Sequence, residues 1–164
     1  MKRGYGIYQS PIGPILVVAD EVGVKRIELF EEDWQVYLDR HPELEEDSKL
    51  CEAAIMQLDE YFQGKRVTFT VPLSIEATPF RQQVWHALEQ IPYGETRSYA
   101  DIAEAIGKPK AVRAVGQANR ANALPIIIPC HRVIGKNGSL VGYAGSRTGV
   151  KEELLALERG NSVT

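Results

Sequence analysis

The chain is poor in cysteine. Its 164 residues include only Cys51 and Cys130, spaced too far apart for a zinc or redox motif. A disulfide scaffold is excluded, and both are expected as thiols in a reducing compartment. No apolar run is long enough to cross a membrane. Lys2 and Arg3 are not followed by a signal-peptide core, so a cytoplasmic protein is expected. Acidic residues are missing from 107–151, a stretch that holds Lys108, Lys110, Arg113, Arg120, Arg132, Lys136, Arg147 and Lys151. Residues 1–60, in contrast, carry 14 Asp and Glu against 6 Lys and Arg, an asymmetry hidden by the net charge of -3. A long basic segment without acids is the footprint of a polyanionic partner.

The remaining composition, 44% hydrophobic and 25% charged, is that of a globular chain with one domain or two small ones. Apolar clusters at 4–9, 14–19 and 23–30, separated by Gly and Pro breaks, predict a three-stranded antiparallel meander. Residues 31–47 are acidic and weakly patterned, fitting a loop or short helix. Leu50, Ala54, Leu58 and Phe62 recur at helical spacing and stop before Gly64, predicting a helix over 48–62 on which Cys51 is structural. Val67–Val71 reads as a short extended segment and Pro72–Ala77 as a linker. The expected domains are therefore 1–77 and 78–164.

The second half reads as helices. Thr78-Pro79 is a cap followed by proline at the first helical position, ahead of a stripe of Phe80, Val84, Trp85 and Leu88. Ser98 caps a second helix that runs through Ile106. After Gly107-Lys108-Pro109, a third helix from Lys110 to about Ala121 turns Ala111, Ala114, Val115 and Ala118 inward. Its polar face offers Arg113, Gln117, Asn119 and Arg120. Helix, short turn, helix is an arrangement used on DNA. The small residues suit either groove. Asn137-Gly138 signals a hairpin, which would form a wing. A last helix is expected from Val150 to about Leu157.

Ile126-Ile127-Ile128 reads as a buried strand ended by Pro129, with Cys130, His131 and Arg132 following. A cysteine held at the end of a rigid element suits a nucleophile, and a neighbouring imidazole can take its proton. Successive residues on a strand face opposite ways. Contact between Cys130 and His131 therefore requires a bridging water or a kink after Pro129.

Pro129-Cys130-His131-Arg132-Val133 after an isoleucine-rich run resembles the active-site signature of the O6-alkylguanine-DNA alkyltransferases. Thr78-Pro79-Phe80, Ile91-Pro92-Tyr93-Gly94-Glu95-Thr96, Ser98-Tyr99, Ala111-Val112-Arg113-Ala114-Val115-Gly116 and Gly142-Tyr143-Ala144-Gly145 resemble further segments of that family. The resemblance is dense from about Thr78 to Glu158 and thinner before it. It implies a mixed α/β fold: a small ribonuclease-H-like α/β domain, then a helical winged-helix DNA-binding domain. It also implies irreversible transfer of an alkyl group from O6 of guanine, less efficiently O4 of thymine, to the cysteine.

By this resemblance Cys130 is the nucleophile, His131 its base, Glu158 the residue that orients the imidazole, and Tyr99 a proton donor to the leaving base. Arg113 is the finger that fills the place of an everted nucleotide. Tyr99, Thr96, Ser98, Gln117, Asn119 and Lys136 are further DNA contacts. Val133, Tyr143, Ala144 and Gly145 line the substrate pocket, and Asn122 is a structural clamp. The chain departs from the family's pattern at Ala123, Ala144 and Ser146, and it has one additional residue within 146–149. No cofactor and no metal are implied, and the N-terminal half has no Cys/His cluster for a structural zinc. The implied partner is double-stranded DNA carrying O6-alkylguanine, bound without a membrane by a monomer, with cooperativity on DNA left open. Three rivals rank lower. A non-catalytic lesion binder would lack the cysteine, a winged-helix regulator would need a richer third helix, and a cysteine hydrolase leaves the basic segment unexplained.

Overall fold

Pro11, Pro14 and the step Glu21-Val22-Gly23 divide the start of the chain into three apolar runs. In the computed structural model these runs are β1 (Arg3–Ser10), β2 (Gly13–Asp20) and β3 (Val24–Glu28), antiparallel in sequence order as expected. The structure describes residues 1–135 and 148–162, with the backbone alone at 148, 161 and 162. It divides into two compact units, Met1–Glu76 and Ala77–Thr164.

In the first unit, residues 31–47 contain a helix, α1 (Glu31–Arg40), and then β4 (Glu45–Glu46), which lies parallel to β1. The sheet order is β3-β2-β1-β4. Acids in the first turn of α1 and Arg40 in its last complement the helix dipole. Every residue of β2 from Ile15 to Asp20 is buried. Successive side chains point to opposite faces, so both faces of the sheet are covered here. Leu16 and Val18 pack with Trp34 of α1 and with Leu44. The helix α2 (Ser48–Phe62) packs across β1 and β2, capped by Asp47, which accepts from Leu50 N at 3.0 Å. Gly6 permits this approach, since a Cβ there would lie 3.0 Å from Ile55 Cδ1. Cys51 is buried on α2, with its thiol donating to Val17 O at 3.4 Å. Burial pushes that thiol up to about 11, so it packs as a small apolar group.

No strand forms over Val67–Val71, contrary to the extended reading. Gln57 satisfies this backbone instead, accepting from Thr70 N at 2.9 Å and Val71 N at 3.3 Å. The linker reading also fails in part. Val24 N donates to Pro72 O at 2.9 Å and Ser74 N to Val24 O at 2.7 Å, which ties residues 72–74 along β3. Gly23 is required for this docking, because a Cβ there would lie 2.2 Å from Pro72 O.

The second unit opens with α3 (Pro79–Glu89), capped by Thr78, with Val84, Trp85 and Leu88 buried. Phe80 is only half-buried and carries the Lys108 ammonium 5.2 Å from its ring centre. Next come α4 (Tyr99–Ala105), opened by a capping box of Ser98 and Asp101, and α5 (Val112–Arg120). Gly107 turns the chain between them at φ +76°. Trp85 Nε1 donates to Ala118 O at 2.9 Å and locks α3 to α5. The short strands β5 (Arg97–Ser98) and β6 (Val133–Ile134) pair in parallel. The final helix, α6 (Thr148–Ser162), extends past the expected end near Leu157. The hairpin expected at Asn137-Gly138 lies outside the described residues.

The largest departure is at Ile126–Ile128, which is a buried turn and not a strand. Ile128 N donates to Leu124 O at 2.8 Å, and Ile126 takes φ +76°. A β-branched residue in this region carries about 1–3 kcal/mol of strain. Apolar runs report burial, and a short buried run does not distinguish a strand from a core-filling turn.

Candidate active site

The site grows from that turn. Asn122 holds it from both sides: Nδ2 donates to Ile128 O at 2.8 Å and Oδ1 accepts from Leu124 N at 2.9 Å. Pro129, at φ -80° and ψ 64°, centres a tighter bend in which Cys130 N donates to Ile128 O at 2.8 Å. Cys130–Arg132 then form one 3₁₀ turn. This is a kink of the kind expected after Pro129, where a bridging water was the alternative. It replaces the two-sided geometry of a strand with a helical one, and Cys130, His131 and Arg132 are all buried in it.

His131 Nε2 lies 2.5 Å from Glu158 Oε2. Glu158 also receives Arg132 Nε on Oε1 at 2.7 Å and an Arg132 Nη2 bond on Oε2 at 3.1 Å. A third bond, from Nη1 to Ile91 O at 2.8 Å, fixes the far side of the guanidinium. Burial pushes the Glu158 carboxyl upward, but the His131 and Arg132 contacts outweigh it and bring it to about 2. An ionised carboxylate only accepts, so the His131 proton sits on Nε2. Nδ1 then carries the lone pair, and it has no partner among the described residues. Burial lowers the His131 pKa and Glu158 opposes that; Arg132 and Lys151 add to the lowering, and the imidazole is held neutral. A neutral ring with an open lone pair is a proton acceptor.

On α6, Lys151, Leu154, Leu155 and Glu158 form one buried stripe. Lys151 Nζ donates to Val133 O. Burial pushes its pKa down to about 8, and the charge of Cys130 acts in the opposite direction. A buried cation that senses the thiol favours its thiolate form. Tyr99, at the start of α4, is half-buried. Burial raises its pKa, Arg120 lowers it, Cys130 raises it and a hydrogen bond from Asn119 lowers it.

The fold therefore brings together Cys130, His131, Glu158, Tyr99, Val133 and Asn122. Arg113 and Gln117 are exposed on α5. Thr96 is half-buried and Ser98 caps α4. Asn119 requires correction. It was expected on the exposed polar face, but it is 1% exposed, and its Nδ2 donates to Cys130 O at 3.4 Å. Its position in α5 follows buried Val115 by four residues, so it turns inward. Lys136, Tyr143, Ala144 and Gly145 lie outside the described residues. The basic segment is also divided. Lys108, Lys110, Arg113 and Arg120 are exposed, whereas Arg132 and Lys151 are buried in the site. Sequence reasoning missed both of these as site residues. The i, i+3, i+4, i+7 spacing of Lys151, Leu154, Leu155 and Glu158 could have revealed Lys151, but no local signal marks the Arg132–Glu158 pair.

Two family descriptions match the chain. The ribonuclease-like domain of 6-O-methylguanine DNA methyltransferase matches residues 4–75, and its DNA-binding domain matches residues 79–160. The constitutive methylated-DNA–protein-cysteine methyltransferase of Bacillus subtilis is 54% identical over 157 residues, covering 94% of each chain. The crystal structure of the Mycobacterium tuberculosis O6-methylguanine methyltransferase superposes with a TM-score of 0.88 at 42% identity, covering 98% of this chain and 94% of the other. The OGT of the same organism, crystallised in complex with DNA, gives a TM-score of 0.86 at 41% identity, covering 96% and 94%. The chain belongs to the 6-O-methylguanine DNA methyltransferase family.

Proposed function

We propose that the chain repairs DNA by direct reversal, moving the alkyl group of O6-alkylguanine, and less efficiently O4-alkylthymine, irreversibly onto Cys130. One observation carries this reading: Cys130 is followed, within one turn, by an imidazole fixed on Glu158 whose other nitrogen has no partner among the described residues. Cys130 loses its proton to His131 Nδ1. The thiolate attacks the alkyl carbon, a sulfur–carbon bond forms, and the carbon–O6 bond breaks with its electron pair passing to the base. Tyr99 supplies a proton to the leaving guanine. Glu158 orients His131, Arg132 holds Glu158, and Lys151 favours the thiolate. Nothing restores the thiol, so each molecule acts once.

The reacting base is rotated out of the duplex, at a cost of a few kcal/mol that is smaller for a poorly paired lesion. Arg113 fills its place, while Gln117 and Arg120 on the exposed face of α5, with Thr96 and Ser98, contact the strand. Residues 78–164 carry the chemistry and residues 1–77 form the companion domain. The partner is double-stranded DNA, a reading supported by the relative crystallised on DNA. Among the described residues no helix is long and apolar enough to cross a membrane. The protein acts as a monomer in the cytoplasm, which suits two cysteines outside any disulfide.

Incubation with a duplex carrying O6-methylguanine, followed by intact-mass measurement, tests the reading. A gain of one methyl group that is absent in Cys130→Ala supports it. A folded protein with no gain overturns it.

A further inference from the structure

Asn119 is buried between two groups of the site. Its Nδ2 donates to the Cys130 carbonyl, and its side chain hydrogen-bonds the Tyr99 hydroxyl. Oδ1 has no partner among the described residues. These facts fix the amide's orientation. A carbonyl oxygen can only accept, so the atom facing Cys130 is nitrogen. Oδ1 bonds none of the described residues, and the Asn119 bond lowers the Tyr99 pKa as a donor does, so nitrogen also meets Tyr99 and the phenol oxygen is the acceptor. The phenol proton therefore points away from Asn119. The Cys130 carbonyl also accepts from Val133 N, so two donors hold the peptide that carries the thiol. An apolar side chain of similar shape would fill the space without a buried, unbonded Oδ1. The amide's value here therefore lies in its donors.

We propose that Asn119 is a positioning residue that turns the Tyr99 hydroxyl outward as a proton donor and ties it to the main chain of Cys130. The proposal rests on the reading of Cys130 as alkyl acceptor and Tyr99 as donor to the leaving base. It assigns Asn119 to the reaction and removes it from the DNA-contacting face.

The test compares wild type, Asn119→Leu, Tyr99→Phe and their double variant, with Asn119→Asp beside them, each as the whole chain. The measured quantities are the single-turnover rate of methyl transfer from an O6-methylguanine duplex and the affinity for undamaged duplex. Asn119→Leu is expected to slow transfer about 10-fold, the effect of one lost hydrogen bond, and to leave duplex affinity within about twofold. In the Tyr99→Phe background the same change is expected to cost clearly less than in the wild type, because the hydroxyl it orients is gone and only its bond to the Cys130 carbonyl is lost. Asn119→Asp keeps the shape but presents only acceptors, and is expected to lose at least as much as Asn119→Leu. It carries the same comparison if Asn119→Leu does not fold. A full and equal loss in both backgrounds, or an Asn119→Asp variant with wild-type rate, overturns the proposal alone. A wild type that transfers no methyl group overturns the reading of the site together with it.

Discussion

Glu158 is the residue on which the charge balance of the site turns. It receives His131 and Arg132 together with no exposure of its own. Glu158→Gln leaves the Arg132 guanidinium buried without its counter-ion, which is expected to cost about 3–5 kcal/mol, read from denaturant unfolding. Transfer is expected to slow about 100-fold or more, because an amide has one acceptor oxygen for the donors of both His131 and Arg132 and no charge to stabilise the imidazolium. The pH dependence has a definite sign. The Glu158 pKa falls from 4.5 to about 2 on folding, so its stabilisation is complete above 4.5 and lost as pH falls through about 2. The lowered His131 pKa adds a loss that begins as pH falls below 6.5. Thermal melts across this range should therefore show stability declining toward acid, with a shallower decline in Glu158→Gln; parallel curves would contradict the assignment. Arg113→Ala is expected to weaken repair of duplex lesions far more than reaction with a free alkylguanine base. Equal losses in paired rate measurements would remove its finger role.

At the scale of elements, the turn before Cys130 depends on Asn122. Asn122→Ala removes both clamp bonds; Leu124 N loses its acceptor, while Ile128 O keeps only the bond from Cys130 N. A loss of about 1–3 kcal/mol is expected in unfolding experiments, with a slower transfer rate as Cys130 loses its mount. Asn122 was legible as a clamp through family resemblance, but the turn it clamps was not. Ile126–Ile128 carry β-branched side chains that favour strands. Asn122 and the surrounding core hold them in a bend that propensity disfavours. Helices were read well where caps and stripes coincide, as at Thr78-Pro79 and Ser98. Val67–Val71 failed because its hydrogen-bond partner is one distant side chain, Gln57, and not a neighbouring strand. Arg132 and Lys151 read as surface charge because burial of a cation depends on partners far along the chain: Glu158 for one, Val133 O for the other.

At the scale of the whole molecule, the acid-free segment serves two purposes. Two of its cations lie inside the site, and Lys108, Lys110, Arg113 and Arg120 are the described ones left for DNA. Four phosphate contacts give a log–log slope of DNA affinity against salt of about -3 to -4. A flat response in binding titrations would contradict this face as the DNA contact. The central claim is that one sulfur accepts one alkyl group and is spent. Titrating the protein with increasing O6-methylguanine duplex, and counting methyl groups transferred, tests it most directly. The expected result is a plateau at one methyl group per protein, located by peptide mapping on Cys130, however large the excess of substrate. Transfer that continues beyond one equivalent, or a methyl group on any other residue, would contradict it.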